Sequence, residues 1–205
     1  EPVAIVHSPL ARTRQTAEAV AEAFREAGRP VPALRPEDRL AEIAQGAWEG
    51  LSQGEVEERY PAAIAGWRRD PVAIHAPGGE SLAAVDARVR EALVVVLQDL
   101  AAAAGPGPAG TPSYYNPQAG PWTILVGHDG AFRVALLALL GLPLDRFWTF
   151  TQTTTGIAVL DLRNGRPVLR AWNRTEHLAP LEREAVEATR AEADAAAERA
   201  RSGAL

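Results

Sequence analysis

The chain has 205 residues, of which 47% are hydrophobic and 23% charged, with a formal net charge of -5 and a pI of about 5.5. That is apolar material for one globular domain, and it excludes a global positive field drawing the protein onto nucleic acid or an anionic membrane. Cysteine is absent, which excludes disulfides, thiolate nucleophiles, CxxC redox chemistry and cysteine-rich zinc sites together.

Every basic residue is arginine, whose planar fork of donors suits phosphate or carboxylate. No run approaches the ~18 apolar residues of a membrane span, and the amino end lacks a secretory pattern, so a soluble cytoplasmic protein is expected. The chain opens Glu1-Pro2-Val3 and contains no methionine, so sequence before Glu1 is expected in the natural protein.

Val3 to Val6 is an apolar run that reads as a buried strand. Ser8 is placed to be the N-cap and Pro9 the first residue of the helix that follows, where Leu10, Ala17, Val20, Ala21 and Phe24 fall at helical spacing. Gly28 and Pro30 end that helix. Residues 29–50 read as irregular, broken by Gly46 and Gly50, and short helices follow over Ser52–Tyr60 and Ala62–Arg68.

Pro77-Gly-Gly-Glu-Ser81 is a turn whose serine caps the next helix, with an apolar stripe of Leu82, Val85, Val89, Val96, Leu97 and Leu100. Gly105 to Pro121, rich in glycine, proline and alanine, reads as a long surface loop. Thr123 to Val126 is a second short apolar strand, leading through Gly127 and His128 into a helix over Ala131–Leu140. Ile157–Leu162 and Pro167–Trp172 flank Arg163-Asn-Gly-Arg166, a two-residue hairpin signal that predicts an antiparallel edge to the sheet. Beyond Pro180 the chain turns to Glu, Arg and Ala, expected as a solvated helix or an oligomer contact.

The pattern β-α, then helices, then β-α predicts an α/β domain with a mostly parallel sheet. His128 then stands at the carboxyl end of a parallel strand, where open α/β sheets place their ligand sites. Taken alone, that run leaves a catalytic histidine and a packed core histidine both open. Ser8 to Arg12 sets a helix start and an arginine just after a strand, a ready anion site. Glu42 lies in a glycine-broken stretch where its carboxyl group can line a pocket.

Four motifs in order carry a resemblance. Ser8-Pro-Leu-Ala-Arg-Thr-Arg-Gln-Thr-Ala17, Leu40-Ala-Glu-Ile with Gly46-Ala-Trp-Glu-Gly50, Pro77-Gly-Gly-Glu-Ser-Leu82, and Val126-Gly-His-Asp-Gly130 resemble segments of the histidine phosphatase (phosphoglycerate mutase-like) superfamily, nearest its broad-specificity phosphatase branch. Phe147-Trp148 and Asn173-Arg-Thr-Glu-His-Leu178 are similar to its closing stretch.

The resemblance implies a three-layer α/β/α sandwich over 1–180 and a charged tail over 181–205. It implies that Arg12 clamps the phosphoryl group, that Glu42 protonates the leaving alcohol and that His128 steadies the transferring charge. Ser8, His7, Asp129, Gly130 and Ala131 are expected around the substrate, the last two through their backbone N–H groups. No metal or cofactor is implied, and the partner is a small phosphate ester, with a homodimer possible through the charged tail. His75 and His177 are expected on loops at the surface.

One departure stands out. The family's nucleophile belongs to an Arg-His-Gly triplet, and these 205 residues contain none. The expectation is a phosphatase working through a phosphohistidine whose nucleophile lies in roughly 50 residues upstream, about a strand, loop and helix. Mutase-type phosphotransfer and a non-catalytic phosphate-binding domain are the alternatives.

Overall fold

In the computed structural model, which describes residues 2–105, 120–163, 165–181 and 189, the opening apolar run is strand β1 (Pro2–His7). It is the middle strand of a three-stranded parallel sheet, between β2 (Ala33–Pro36) and β3 (Trp122–Val126).

Side chains alternate between the faces of a strand. Ala4 and Val6 therefore pack with Ala92 and Val96 of α4 (Leu82–Ala104), while Ile5 on the other face packs with Ala17 and Ala21 of α1 (Ala11–Glu26). Both faces are covered, and the three layers α/β/α follow. The largest apolar cluster lies between α4 and α5 (Asp129–Leu140), where Val85, Val89 and Leu93 meet Ala131, Val134 and Leu137. Burying each large aliphatic side chain there contributes about 1.5–3 kcal/mol.

The local signals around α4 hold. Ser81 caps it by accepting from Ala84 N–H at 3.2 Å, and Leu82, Val85, Val89 and Val96 of the stripe are buried. The two short helices are α2 (Gln53–Arg59) and α3 (Pro61–Arg69). Ser52 and Glu55 form a reciprocal capping box on the first, and Pro61 opens the second.

Two expectations need correction. Residues 29–50 include a strand, β2, which runs parallel to β1 with Ala33 opposite Ala4 and Pro36 opposite His7. Ser8 does not cap α1. The helix starts at Ala11 with Leu10 as its N-cap and no side-chain cap, because Ser8 is drawn to other partners described below.

The antiparallel component is present as β4 (Ile157–Arg163) and β5 (Arg166–Arg174), a two-stranded sheet of its own. Two compact units result, Glu1–Thr151 with Asp161–Val168, and Gln152–Leu160 with Leu169–Leu205. In the second, the Asn173 side-chain carbonyl accepts from Thr153 N–H at 2.7 Å. The glycine- and proline-rich stretch between Gly105 and Gly120 and nearly all of the charged segment after Leu181 lie outside the described residues. Among those described, no helix is long and apolar enough to cross a membrane.

Candidate functional site

The carboxyl ends of β1 and β3 lie side by side, joined by the Ser8 N–H donating to the Val126 carbonyl at 2.9 Å. That puts the start of α1 and the start of α5 at one end of the sheet. Here Arg12 Nη2 donates to His128 Nδ1 at 3.0 Å, across 116 positions of sequence. Because a guanidinium can only donate, Nδ1 is the acceptor, and the imidazole proton sits on Nε2. That proton goes to Ser8 Oγ at 2.8 Å.

Ser8 is fully buried and His128 nearly so, while Arg12 remains exposed. Burial pushes the His128 imidazole below the ordinary histidine value. The charge of Glu42 opposes the shift, and those of Arg12 and Arg88 add to it. His128 is thus held neutral with a defined tautomer.

Glu42 reaches the same corner from the loop after β2. Its Oε1 accepts the Ile43 N–H at 2.9 Å and the Ala131 N–H at 3.1 Å, and its Oε2 takes a longer bond from Gly130 N–H at 3.4 Å. A carboxylate at a helix amino end is favoured by the exposed N–H groups and the helix dipole. Oε1 thus holds the two shorter bonds and Oε2 the single longer one. Close approach requires glycine at position 130, since a Cβ there would stand 2.7 Å from Ile43 Cδ1 and 2.8 Å from Glu42 Oε1.

The remaining expected site residues fall into two groups. The backbone N–H groups of Gly130 and Ala131, expected to face substrate, are instead turned to Glu42. Asp129 pairs with Arg133 at 2.6 Å, and the guanidinium of Arg133 stacks against Phe147 and Trp148 at 5.6 and 5.2 Å. His7 is buried at the end of β1, where its Nδ1 bonds the Ser8 carbonyl at 2.8 Å. His75 and His177 are exposed, as expected.

Sequence reasoning missed Arg88 and Glu80, which pair at 2.8 Å beside the Glu42 loop. One signal pointed to them. Arg88 is a charged residue wedged between the buried stripe positions Val85 and Val89, where a solvated surface arginine is out of place. Among the described residues no group of three or more His, Asp or Glu side chains is arranged to hold a metal ion.

Comparison with known proteins agrees with this geometry. The profile of the histidine phosphatase superfamily (branch 1) matches residues 1–175. Phosphoserine phosphatase 1 of Hydrogenobacter thermophilus is 32% identical over 174 residues, covering 85% of this chain and 71% of that protein. Glucosyl-3-phosphoglycerate phosphatase of Mycolicibacterium vanbaalenii is 35% identical over 152 residues, 72% of this chain and 57% of the relative.

Among solved structures, a mycobacterial glucosyl-3-phosphoglycerate phosphatase with inorganic phosphate superposes with a TM-score of 0.66 at 26% identity, over 85% of this chain and 78% of that one. Bacillus stearothermophilus YhfR, at 23% identity and a TM-score of 0.67 over 87% and 77% of the two chains, shares the fold.

Proposed function

The chain belongs to the histidine phosphatase superfamily, branch 1, and is of the phosphatase type; from that premise we propose that the complete protein hydrolyses phosphomonoesters through a phosphohistidine, with the nucleophilic histidine supplied from outside these 205 residues. The observation that carries this reading is the meeting of Arg12, His128 and Glu42 at one end of the sheet. The outer edge of β3 has no strand partner among the described residues. A parallel strand added there would bring its carboxyl end beside His128, the place a nucleophile must occupy.

In the first step the nucleophile's ring nitrogen attacks phosphorus, an N–P bond forms and the P–O bond to the alcohol breaks. Arg12 forks two phosphoryl oxygens, as guanidinium groups do. Glu42 passes a proton from Oε2 to the departing alkoxide oxygen. Once a phosphoryl oxygen replaces His128 as the partner of Arg12, the dianion raises the proton affinity of the imidazole, and a proton on Nδ1 donates to a further oxygen. In the second step water attacks phosphorus, the N–P bond breaks and Glu42 takes the proton back.

The test is chemical. Complete protein mixed with a ³²P-labelled ester and quenched in alkali should carry label that is stable in base and lost in acid, the behaviour of a phosphoramidate. Protein that neither acquires such label nor hydrolyses any ester of a broad panel would be a phosphate-binding domain and not an enzyme.

A further inference from the structure

Glu42 is carried on irregular backbone, between a one-turn 3-10 segment, Asp38–Leu40, and another, Gly46–Trp48. A proton donor must hold its oxygen to a fraction of an ångström, and irregular chain does not do so unaided. The structure shows what does. Arg88, reaching across from α4, uses every donor it has on this one stretch of backbone and the carboxylate beside it.

Its Nη1 donates to the Arg39 and Ala41 carbonyls, both at 2.8 Å, and its Nη2 to the carbonyl of Glu42 itself at 3.2 Å. The other Nη2 proton and the Nε proton go to the two oxygens of Glu80, each at 2.8 Å. A guanidinium has five N–H donors, and all five are engaged.

Glu80 closes the arrangement from the other side. Its Oε2 also accepts the Ala44 N–H at 2.9 Å, and its backbone N–H donates to the Ala44 carbonyl at 2.9 Å. The Pro77 carbonyl takes the Ala47 N–H at 2.9 Å. The two segments touch so closely that Gly46, at a φ of +47°, could carry no Cβ without striking the Pro77–Gly79 backbone. Glu80 is held below the ordinary carboxyl range chiefly by its hydrogen bond to Arg88, so the pair is ionised at neutral pH. The backbone of residues 39–44 is therefore pinned along its length, and Glu42 sits in the middle of it.

We propose that Arg88, anchored by Glu80, is a positioning residue for the proton-donating step: it sets the reach of Glu42 and touches neither the phosphoryl group nor the nucleophile. The proposal rests on the reading of Glu42 as the general acid. Its signature is dependence on the leaving group. An alkyl phosphate needs its leaving oxygen protonated, whereas p-nitrophenolate leaves without a proton.

In the complete protein, Arg88→Met, which keeps the apolar stem and removes the donors, should lower kcat/KM on an alkyl phosphate, which reports the steps through release of the alcohol, by about 10- to 100-fold. On p-nitrophenyl phosphate it should change kcat/KM by less than about threefold, since hydrolysis of the phosphohistidine, common to both esters, does not enter that ratio. Arg88→Lys has three donors in place of five and should fall between wild type and Arg88→Met, with circular dichroism of both variants matching wild type. If Arg88→Met fails to fold, Arg88→Lys carries the same test.

Groups acting as one unit are not additive, so Glu42→Gln combined with the Arg88 variant should be no slower on the alkyl phosphate than Glu42→Gln alone. Equal losses on both esters, fully additive losses, or no loss at all would overturn the positioning role while leaving Glu42 in place. Glu42→Gln showing no leaving-group dependence would instead remove Glu42 as the acid, and the role of Arg88 with it.

Discussion

Two parts of the site are held together in opposite ways. Around His128, side chains hold one another: Arg12 and Ser8 grip the two ring nitrogens, with Ser8 and His128 just past the ends of their strands and Arg12 in the first turn of α1. Around Glu42, backbone does the holding: three N–H groups take its carboxylate, and Arg88 takes its carbonyl and its neighbours'. Residues at strand ends inherit their positions from the sheet, so a pair of contacts suffices to orient them. A residue on irregular chain inherits nothing, and its stretch of loop must be tied down bond by bond. Under the proposed mechanism, one fold would place its charge-stabilising groups by the sheet alone, while its acid would need dedicated support.

Three substitutions or measurements on the complete protein probe this contrast. The largest effect is expected from Arg12→Ala, which removes the arginine that bonds His128 and should lower kcat/KM by about 10³-fold, with good and poor leaving groups alike. A loss confined to poor leaving groups would place Arg12 on the Glu42 side and dissolve the distinction.

Next comes Gly130→Ala, whose Cβ would press on Ile43 and Glu42. Overpacking of this kind costs about 1–3 kcal/mol, measurable by thermal or denaturant unfolding, and displacement of Glu42 should slow alkyl phosphate turnover by about tenfold. Affinity for inorganic phosphate, which the proposed mechanism gives to Arg12 and His128, should stay unchanged; weakened phosphate binding would show that the two parts are not separable.

The smallest signal is the titration of His128, followed by NMR of its ring. In the free protein it should titrate below the ordinary 6.5, and phosphate or vanadate should raise it. The folded state binds this proton less readily than the unfolded chain. The imidazole's contribution to stability is thus full above 6.5 and lost as pH falls through the lower folded value. A titration at or above 6.5 without ligand would contradict a neutral imidazole held by Arg12.

Much of this was readable in the sequence. Strand-end positions for Ser8 and His128 follow from short apolar runs ending at helix starts, and ordered motifs link Arg12, Glu42 and His128 in the sequence itself. What escaped depends on contacts between distant segments. Strand β2 has four residues, none fully buried, preceded by Pro32 and ending on Pro36; only its pairing with β1 makes it a strand.

Ser8 looks like a helix cap because serine is a favoured N-cap and proline a favoured first helical residue, yet its hydroxyl serves an imidazole 120 positions away. The Gly130 and Ala131 N–H groups look free for a ligand until Glu42, 88 and 89 residues earlier, is seen against them. Arg88 has no motif of its own, and its five acceptor atoms come from two separate segments.

The carboxylate of Glu42 on the amino end of α5 has a consequence for turnover. A helix terminus is a natural trap for inorganic phosphate, and a site that combined this one with Arg12 would hold its product tightly. With the amino end of α5 already taken by Glu42, the departing phosphate of the proposed reaction would meet Arg12 and His128 without the N–H groups of that helix. The glutamate proposed to help the alcohol leave would then also keep the product from settling on the end of α5.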